Sequence, residues 1–460
     1  MDERRPPTEA DEQVALEINT PWLESIKLRA GMSLPRKSPA KPTIFRVPPI
    51  MRCGNQSAYE PKLVSIGPYH RGKSEDLKAM EQLKWRLLHN YLSKVPDGSK
   101  NEGLRKMKDL EKQARDCYSE VIDLDSDQFV EMLLLDGCFI VHLFIGIRDK
   151  ILQEEELKSL LWDNVWFRNF IVADLLLLEN QIPYFVIVHL LDALRMSRWN
   201  SSRLQKAAIS LFIGFLPQPR HLKNQHPQLP SQGFGDVDHL LHLFHKWISS
   251  IPRLGNASGN CLSKVLPWCT NSSLSETPPS TVPTTTELTE AGVKIKVRKT
   301  PSFLDISFCN GVLEIPALEI DDATNLIFAN LIALEQCCRR HGMDVTHHTL
   351  FVDDIINTPR DVELLHRKGI IHRCLGADED IASLFNKLGN GVVCNSDSHL
   401  KDVYKDLNAY CQSRWPRWRA KAVHDYFKNP WAIISLVAAV LLLGLTILQS
   451  VYTILDYYKN

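Results

Sequence analysis

Several things are missing from this sequence, and each absence excludes something. There is no net charge: 54 Lys and Arg balance 54 Asp and Glu. A neutral chain has no global electrostatic reason to seek nucleic acid, so no nucleic-acid partner is expected. The 11 cysteines are scattered over 460 residues with no Cys-x-x-Cys pair. That excludes a disulfide scaffold or a zinc ribbon and suggests reduced thiols. The first 40 residues contain no apolar run, so no secretory signal is expected at that end. There is no G-x-S-x-G, no H-E-x-x-H, no G-x-G-x-x-G and no internal repeat. Apolar residues are not in short supply: at 44% they suffice for a large core.

The strongest positive signal is at the other end. Trp431–Leu455 holds 25 residues without Asp, Glu, Lys or Arg. As a helix this run is about 37 Å long, against a hydrocarbon core of about 30 Å, so a transmembrane helix is expected over 431–455 with residues 456–460 as a short tail. Leu436, Leu441, Leu445 and Leu448 would face lipid, with Trp431 and Tyr452 near the two interfaces. Arg414, Arg417, Arg419, Lys421 and Lys428 precede the span and only Lys459 follows it. The positive-inside rule then expects a tail-anchored, single-pass protein with its bulk in the cytosol. Asn-x-Ser sequons at Asn55, Asn200, Asn256 and Asn271 would matter only in the opposite orientation.

Between the ends the pattern is mainly α. Residues 1–43 read as a mostly disordered segment, with Thr20-Pro21 opening a possible short helix. A helical domain is expected over 44–428. Leu77, Met80, Leu83, Leu87, Leu88 and Tyr91 lie on one helix face, and Leu104, Met107, Ala114, Cys117 and Val121 mark a more charged helix. Phe129–Ile147 and Trp166–Leu194 are apolar enough to resemble membrane spans. Asp136, His142, Asp174, Glu179 and Pro183 interrupt them, so they read as buried core helices. A Ser/Thr/Pro-rich linker is expected at 270–287. After it, Val293, Ile295 and Val297 alternate with cations, Leu304, Ile306 and Phe308 alternate again, and Asn310-Gly311 is a preferred two-residue hairpin turn. A small antiparallel hairpin or three-stranded sheet is expected there. Helices follow: one capped by Asp321 or Asp322, one opened by Thr358-Pro359, one from Asp378 to Gly389, and one near 398–413.

Three patterns invite chemistry. Gly67-Pro-Tyr-His-Arg-Gly72-Lys73-Ser74 satisfies the phosphate-loop spacing and precedes a helix. Pro68 removes one of the N–H donors that such a loop aims at phosphate, and Tyr69, His70 and Arg71 add bulk where close approach is needed. Asp123, Asp125 and Asp127 resemble a calcium loop, but Gln128 stands where glycine is needed; they suit a helix cap instead. His239, His242 and His245 recur every three residues and could share a helix face, a candidate metal set without a carboxylate. Asp136, Asp174 and Glu179 are expected to sit in structural ion pairs, with Arg168, His142 or helix N-termini as partners.

Seven strings carry a resemblance. They are Ile44-Phe-Arg-Val-Pro, Ala58-Tyr-Glu-Pro with Val64-Ser-Ile-Gly-Pro-Tyr-His, Asp174-Leu-Leu-Leu-Leu-Glu-Asn-Gln-Ile-Pro, Glu287-Leu-Thr-Glu-Ala-Gly-Val, Gly311-Val-Leu-Glu-Ile-Pro, Asn330-Leu-Ile-Ala-Leu-Glu-Gln-Cys and Asn429-Pro-Trp-Ala. In them the chain resembles the plant family called domain of unknown function 247, over roughly residues 44–458. The resemblance implies one mostly helical domain with a C-terminal membrane anchor, and recognition or signalling rather than catalysis. No catalytic residue is carried over from it, and no cofactor or metal is expected. The expected function is a membrane-anchored, non-catalytic interaction protein whose partners are membrane lipid and an unidentified protein. The alternative is a nucleotide-binding enzyme or switch using Gly67, Gly72, Lys73 and Ser74.

Overall fold

A computed structural model of the chain describes residues 42–94, 97–149, 165–194, 198–219, 229–230, 232–254, 281–373, 376–394, 398–412 and 430–459, with 24–26 and 28. The chain divides into two units, Met1–Pro42 and Thr43–Asn460. In the first, residues 24–26 are helical; Thr20 and Pro21 lie outside the described residues.

The second unit is mainly helical, as the periodicity predicts. Helix α1 (Lys78–Lys94) buries Met80, Leu83, Leu87, Leu88 and Tyr91 along one stripe. Helix α2 (Asp97–Asp116) buries Met107 and Ala114; Val121 lies beyond its end and is fully solvated. Asp125 accepts the Gln128 N–H at 2.8 Å and so caps α3 (Ser126–Asp149). Helix α3 is the central element, packing against α1, α2, α5 (Tyr184–Ala193) and α6 (Ser201–Phe212). At Gly137 the contact is close enough that a Cβ would lie 2.4 Å from the Leu190 side chain.

The apolar run 166–194 is not one helix. Helix α4 (Val165–Asp174) stops, nine residues of buried irregular chain follow, and α5 begins at Tyr184. Pro183 lacks an N–H and biases the residue before it away from helix, while Asn180 and Gln181 offer the backbone side-chain partners in place of a helical ladder. Buried irregular backbone needs every polar group matched. The Gln181 side-chain amide donates to the Leu175 and Leu177 carbonyls (2.8 and 2.7 Å), and that of Asn180 donates to the Asp174 and Val64 carbonyls (both 2.9 Å).

Helices α7 (Leu240–Ser250) and α8 (Thr285–Glu290) precede the sheet. Only the end of the expected 270–287 linker is described. Residues 270–280 lie outside the described residues, but Thr284 caps α8 in a capping box and Thr285 is buried, donating to the Ile355 carbonyl at 2.8 Å.

The sheet corrects an expectation too. Strands β2 (Ser307–Cys309) and β3 (Val312–Pro316) form the antiparallel hairpin, and Asn310 and Gly311 both take positive φ (51° and 74°) as the turn requires. Strand β1 (Lys294–Arg298) instead pairs parallel to β3, so the sheet is mixed, in the order β1-β3-β2. Ile295 is buried and Val297 partly exposed. A second, unforeseen sheet pairs β4 (Leu318–Ile320) in parallel with β5 (Ile371–Arg373).

The C-terminal half continues with α9 (Asp322–Cys337), capped by Asp321, then α10 (Asp344–Ile355), α11 (Pro359–Arg367), α12 (Asp378–Leu388) and α13 (Lys401–Gln412). Helix α14 runs over Pro430–Lys459. Among the described residues, the one helix long and apolar enough to cross a membrane is Ser126–Arg148, and 78% of that stretch is buried within the protein. The described apolar part of α14, Ala438–Tyr452, is shorter and its side chains are exposed. Cys309 is disulfide-bonded, against the expectation of reduced thiols, whereas Cys53, Cys117, Cys138, Cys337 and Cys338 are unbridged.

Candidate metal centre

The three histidines of the sequence pattern do not act together. His239 stands at the N-cap of α7 rather than on it. Its Nδ1 accepts the His242 N–H at 3.2 Å and its Nε2 faces the Thr43 carbonyl at 3.1 Å. Burial, with His242 nearby, pushes its pKa down to about 3. A neutral ring with Nδ1 as acceptor carries its proton on Nε2, so both nitrogens are used and His239 is not a ligand. His245 is drawn off as well: its Nε2 lies 2.7 Å from Oε1 of buried Glu335. Glu335 also accepts the Val345 and Thr346 N–H groups at 3.0 and 2.7 Å, so it caps α10 from α9.

His242 joins residues that the spacing did not suggest. Its Nδ1 lies 3.0 Å from Oδ2 of Asp238, and His341 Nε2 lies 3.7 Å from the same oxygen. The His242 and His341 rings are 4.0 Å apart. All three residues offer a ligand atom within 4.8 Å of the others. They edge a cavity of about 460 Å³, shared with Lys246, Ser249 and Arg340. Arg340 reaches Asp238 Oδ2 at 2.7 Å. Burial, followed by the neighbouring histidines, pushes His341 down to about 3. Burial works to raise the Asp238 carboxyl, but His242 and Arg340 hold it below the ordinary range. Two histidines and one carboxylate could hold a zinc or iron ion. A second such group, Asp344, His347 and His399, lies nearby in sequence, with Asp344 also paired to Arg253. The first set has one sequence signal, Asp238 four residues before His242; His341, about 100 residues on, has none.

The phosphate-like loop is occupied by the protein itself. The Gly67 N–H donates to Asp136 Oδ2 at 2.8 Å, and the Lys73 N–H to the His70 carbonyl at 3.3 Å. The Ser74 hydroxyl accepts the Asp76 N–H at 3.2 Å, capping a short turn. Gly72 has positive φ (72°) with open space around it. Gly67 is needed for a different reason: at φ +75° a Cβ would lie 2.4 Å from the Gln181 carbonyl oxygen.

The buried acids find partners other than Arg168 and His142. Asp136 pairs with Lys84 Nζ at 2.7 Å, and both side chains are buried. Asp174 accepts the Lys62, Leu63 and Val64 N–H groups at 2.7–2.9 Å, while burial raises its pKa to about 6. Burial would also raise Glu179, but hydrogen bonds from His70, Arg52 and the Val47 N–H outweigh it and bring it to about 2. Asn330 accepts the Leu178 N–H at 2.8 Å and donates to the Ala58 carbonyl at 2.7 Å. This joint therefore links strings from four places: 44–47, 58–70, 174–183 and 330. The polar residues in them satisfy one another's buried groups.

The fold and this joint define a mainly helical protein built around a matched polar core. The chain matches the plant protein family of unknown function DUF247 over residues 44–445 and belongs to it. It is 30% identical over 428 residues to the UPF0481 protein At3g47200 of Arabidopsis thaliana, covering 91% of this chain and 87% of that protein. It is 24% identical over 484 residues to the putative UPF0481 protein At3g02645 of the same plant, covering 88% and 89%. No solved structure matches it.

Proposed function

We propose that this protein is a membrane-tethered, non-catalytic interaction protein, with α14 as a single membrane-spanning helix. The observation that carries the reading is the state of α14. Its described leucines are all exposed, Leu441, Leu443 and Leu445 each by more than 60%. A row of exposed leucines of this length is costly in water and favourable in lipid. The family match runs into this helix, to residue 445. The tether acts by confinement: it holds the helical domain at one surface and raises its effective concentration for a protein partner there.

The polar joint supports the non-catalytic part. Asp136 and Asp174 spend both their oxygens on amides and a cation of their own fold, and Glu179 Oε1 is taken by the Val47 amide and Arg52. The same geometry weighs against the nucleotide alternative, since the Gly67 amide that would meet a phosphate already meets Asp136. The cations before α14 favour a cytosolic bulk. The disulfide at Cys309 favours the opposite side, because such bonds persist in oxidising compartments.

Deleting residues 430–460 should move the protein from the carbonate-washed membrane pellet to the supernatant; retention in the pellet would overturn the tether. Mapping of Asn200, exposed at the start of α6, decides orientation: no glycan there is expected for the cytosolic placement, and an occupied site reverses it. ATP and GTP titrations with Lys73→Ala test the alternative, which needs saturable binding that the variant loses. Proximity labelling from the intact protein identifies the partner.

A further inference from the structure

We propose that Asp238, His242 and His341 form a zinc site, with its fourth position open to the adjoining cavity. The Asp238 backbone N–H donates to His242 Nδ1 at 3.1 Å. That bond occupies the Nδ1 lone pair in the metal-free protein, so zinc at His242 takes the place of the Asp238 N–H. Asp238 Oδ2 lies 3.0 Å from the same nitrogen, so two donor atoms already converge. His341 Nε2 is a third: it is buried, has no hydrogen-bond partner and lies 3.7 Å from the same Oδ2. A buried, unpartnered ring nitrogen is destabilising unless something fills its lone pair.

The spacing suits zinc. Bonds of about 2.0–2.1 Å in a tetrahedral site set neighbouring donors roughly 3.3 Å apart. The Asp238–His242 and Asp238–His341 edges, 3.0 and 3.7 Å, bracket that value. Two imidazoles and one carboxylate are borderline ligands of the kind zinc takes, too nitrogen-rich for magnesium or calcium. Three protein ligands leave one position, and the cavity of about 460 Å³ gives it access. An anion site is the other chemistry a cavity with Lys246 and Arg340 suggests; Asp238 at its edge opposes it.

Arg340 is the cation of the metal-free state. It holds Oδ2 at 2.7 Å and is about half exposed, so it can swing into solvent when zinc takes that oxygen. Zinc and guanidinium therefore compete. Bound zinc would fasten the start of α7 to the turn after α9, joining residues about 100 positions apart.

The test is a zinc titration against a competing chelating dye, on the full chain in detergent, after stripping with a chelator. One zinc per chain is expected. Asp238→Asn and His341→Gln should each weaken binding by at least about 100-fold, with far-UV circular dichroism unchanged. Arg340→Gln should tighten it about tenfold by removing the competitor; a merely misfolded variant would not gain affinity. Cobalt in place of zinc should give the strong visible bands of four-coordination. The proposal fails if no zinc binds, if phosphate binds instead, if Asp238→Asn and His341→Gln bind as the parent does, if Asp344→Asn alone abolishes binding, or if Arg340→Gln weakens it.

Discussion

Among the described residues, helices α3 and α14 are long and apolar, and they have opposite surroundings. Helix α3 carries Asp136 and His142 within its apolar length and is buried. Asp136 meets Lys84 and the Gly67 amide, and His142 Nδ1 lies 2.9 Å from the Cys138 carbonyl. Helix α14 has no charge between Trp431 and Leu455, and its described side chains are exposed. An ionisable residue inside an apolar run thus marks a helix with a protein partner for that charge. An unbroken run marks one whose surroundings have none to offer.

The comparison can be broken most sharply by placing the same charge in each helix. Leu135→Lys puts an unpaired ammonium at a fully buried site of α3, at a cost of at least about 3–5 kcal/mol, and should abolish cooperative thermal unfolding. Leu441→Lys should leave the melting temperature unchanged while membrane partition weakens by about 2.5–3.5 kcal/mol, read by vesicle flotation. If Leu441→Lys unfolded the helical domain, α14 would be a packed element and the contrast would be lost.

A smaller effect tests the matched charge of α3. Lys84→Ala leaves Asp136 buried beside only the Gly67 amide and should cost about 3–5 kcal/mol in denaturant unfolding. The double change Lys84→Met with Asp136→Leu should recover most of that loss. Next comes pH. Glu179 has its folded pKa lowered to about 2. A carboxyl with a depressed folded value stabilises above its unfolded pKa, and that stability is lost as pH falls through the folded value. Unfolding free energy should therefore drop by about 2 kcal/mol between about pH 4.5 and 2, and Glu179→Gln should flatten that limb. Asp321→Ala is the smallest, about 1 kcal/mol from the lost cap of α9, which accepts the Ala323 and Thr324 N–H groups.

Much of the fold was legible where the signal is local. The stripe Met80–Tyr91, the caps at Asp125, Asp321 and Thr358, and the Asn310-Gly311 turn are each set by residues within a few positions of one another. Apart from Val121, placed beyond the end of α2, the misses are long-range. Parallel pairing of β1 with β3, and of β4 with β5, depends on partners that no periodicity names. The break at 175–183 was half visible, in Pro183 and the local bonds of Asn180 and Gln181, but the bonds that tie it to residues 62–64 reach chain more than 100 residues away. The same limit applies to the metal set. His239, His242 and His245 share a spacing, yet ligand geometry excludes two of them and adds His341, which only the fold brings near.

The first sequon has a further bearing on biogenesis. The Asn55 side chain is buried and bonded on both sides to Asn325, at 2.7 and 3.1 Å, 270 residues later in the chain. Oligosaccharyltransferase acts on emerging polypeptide, so in the lumen it would reach Asn55 long before Asn325 had been synthesised. A sugar there would occupy the place of Asn325 and keep α9 from docking. A glycan on Asn55 and a docked α9 therefore exclude one another.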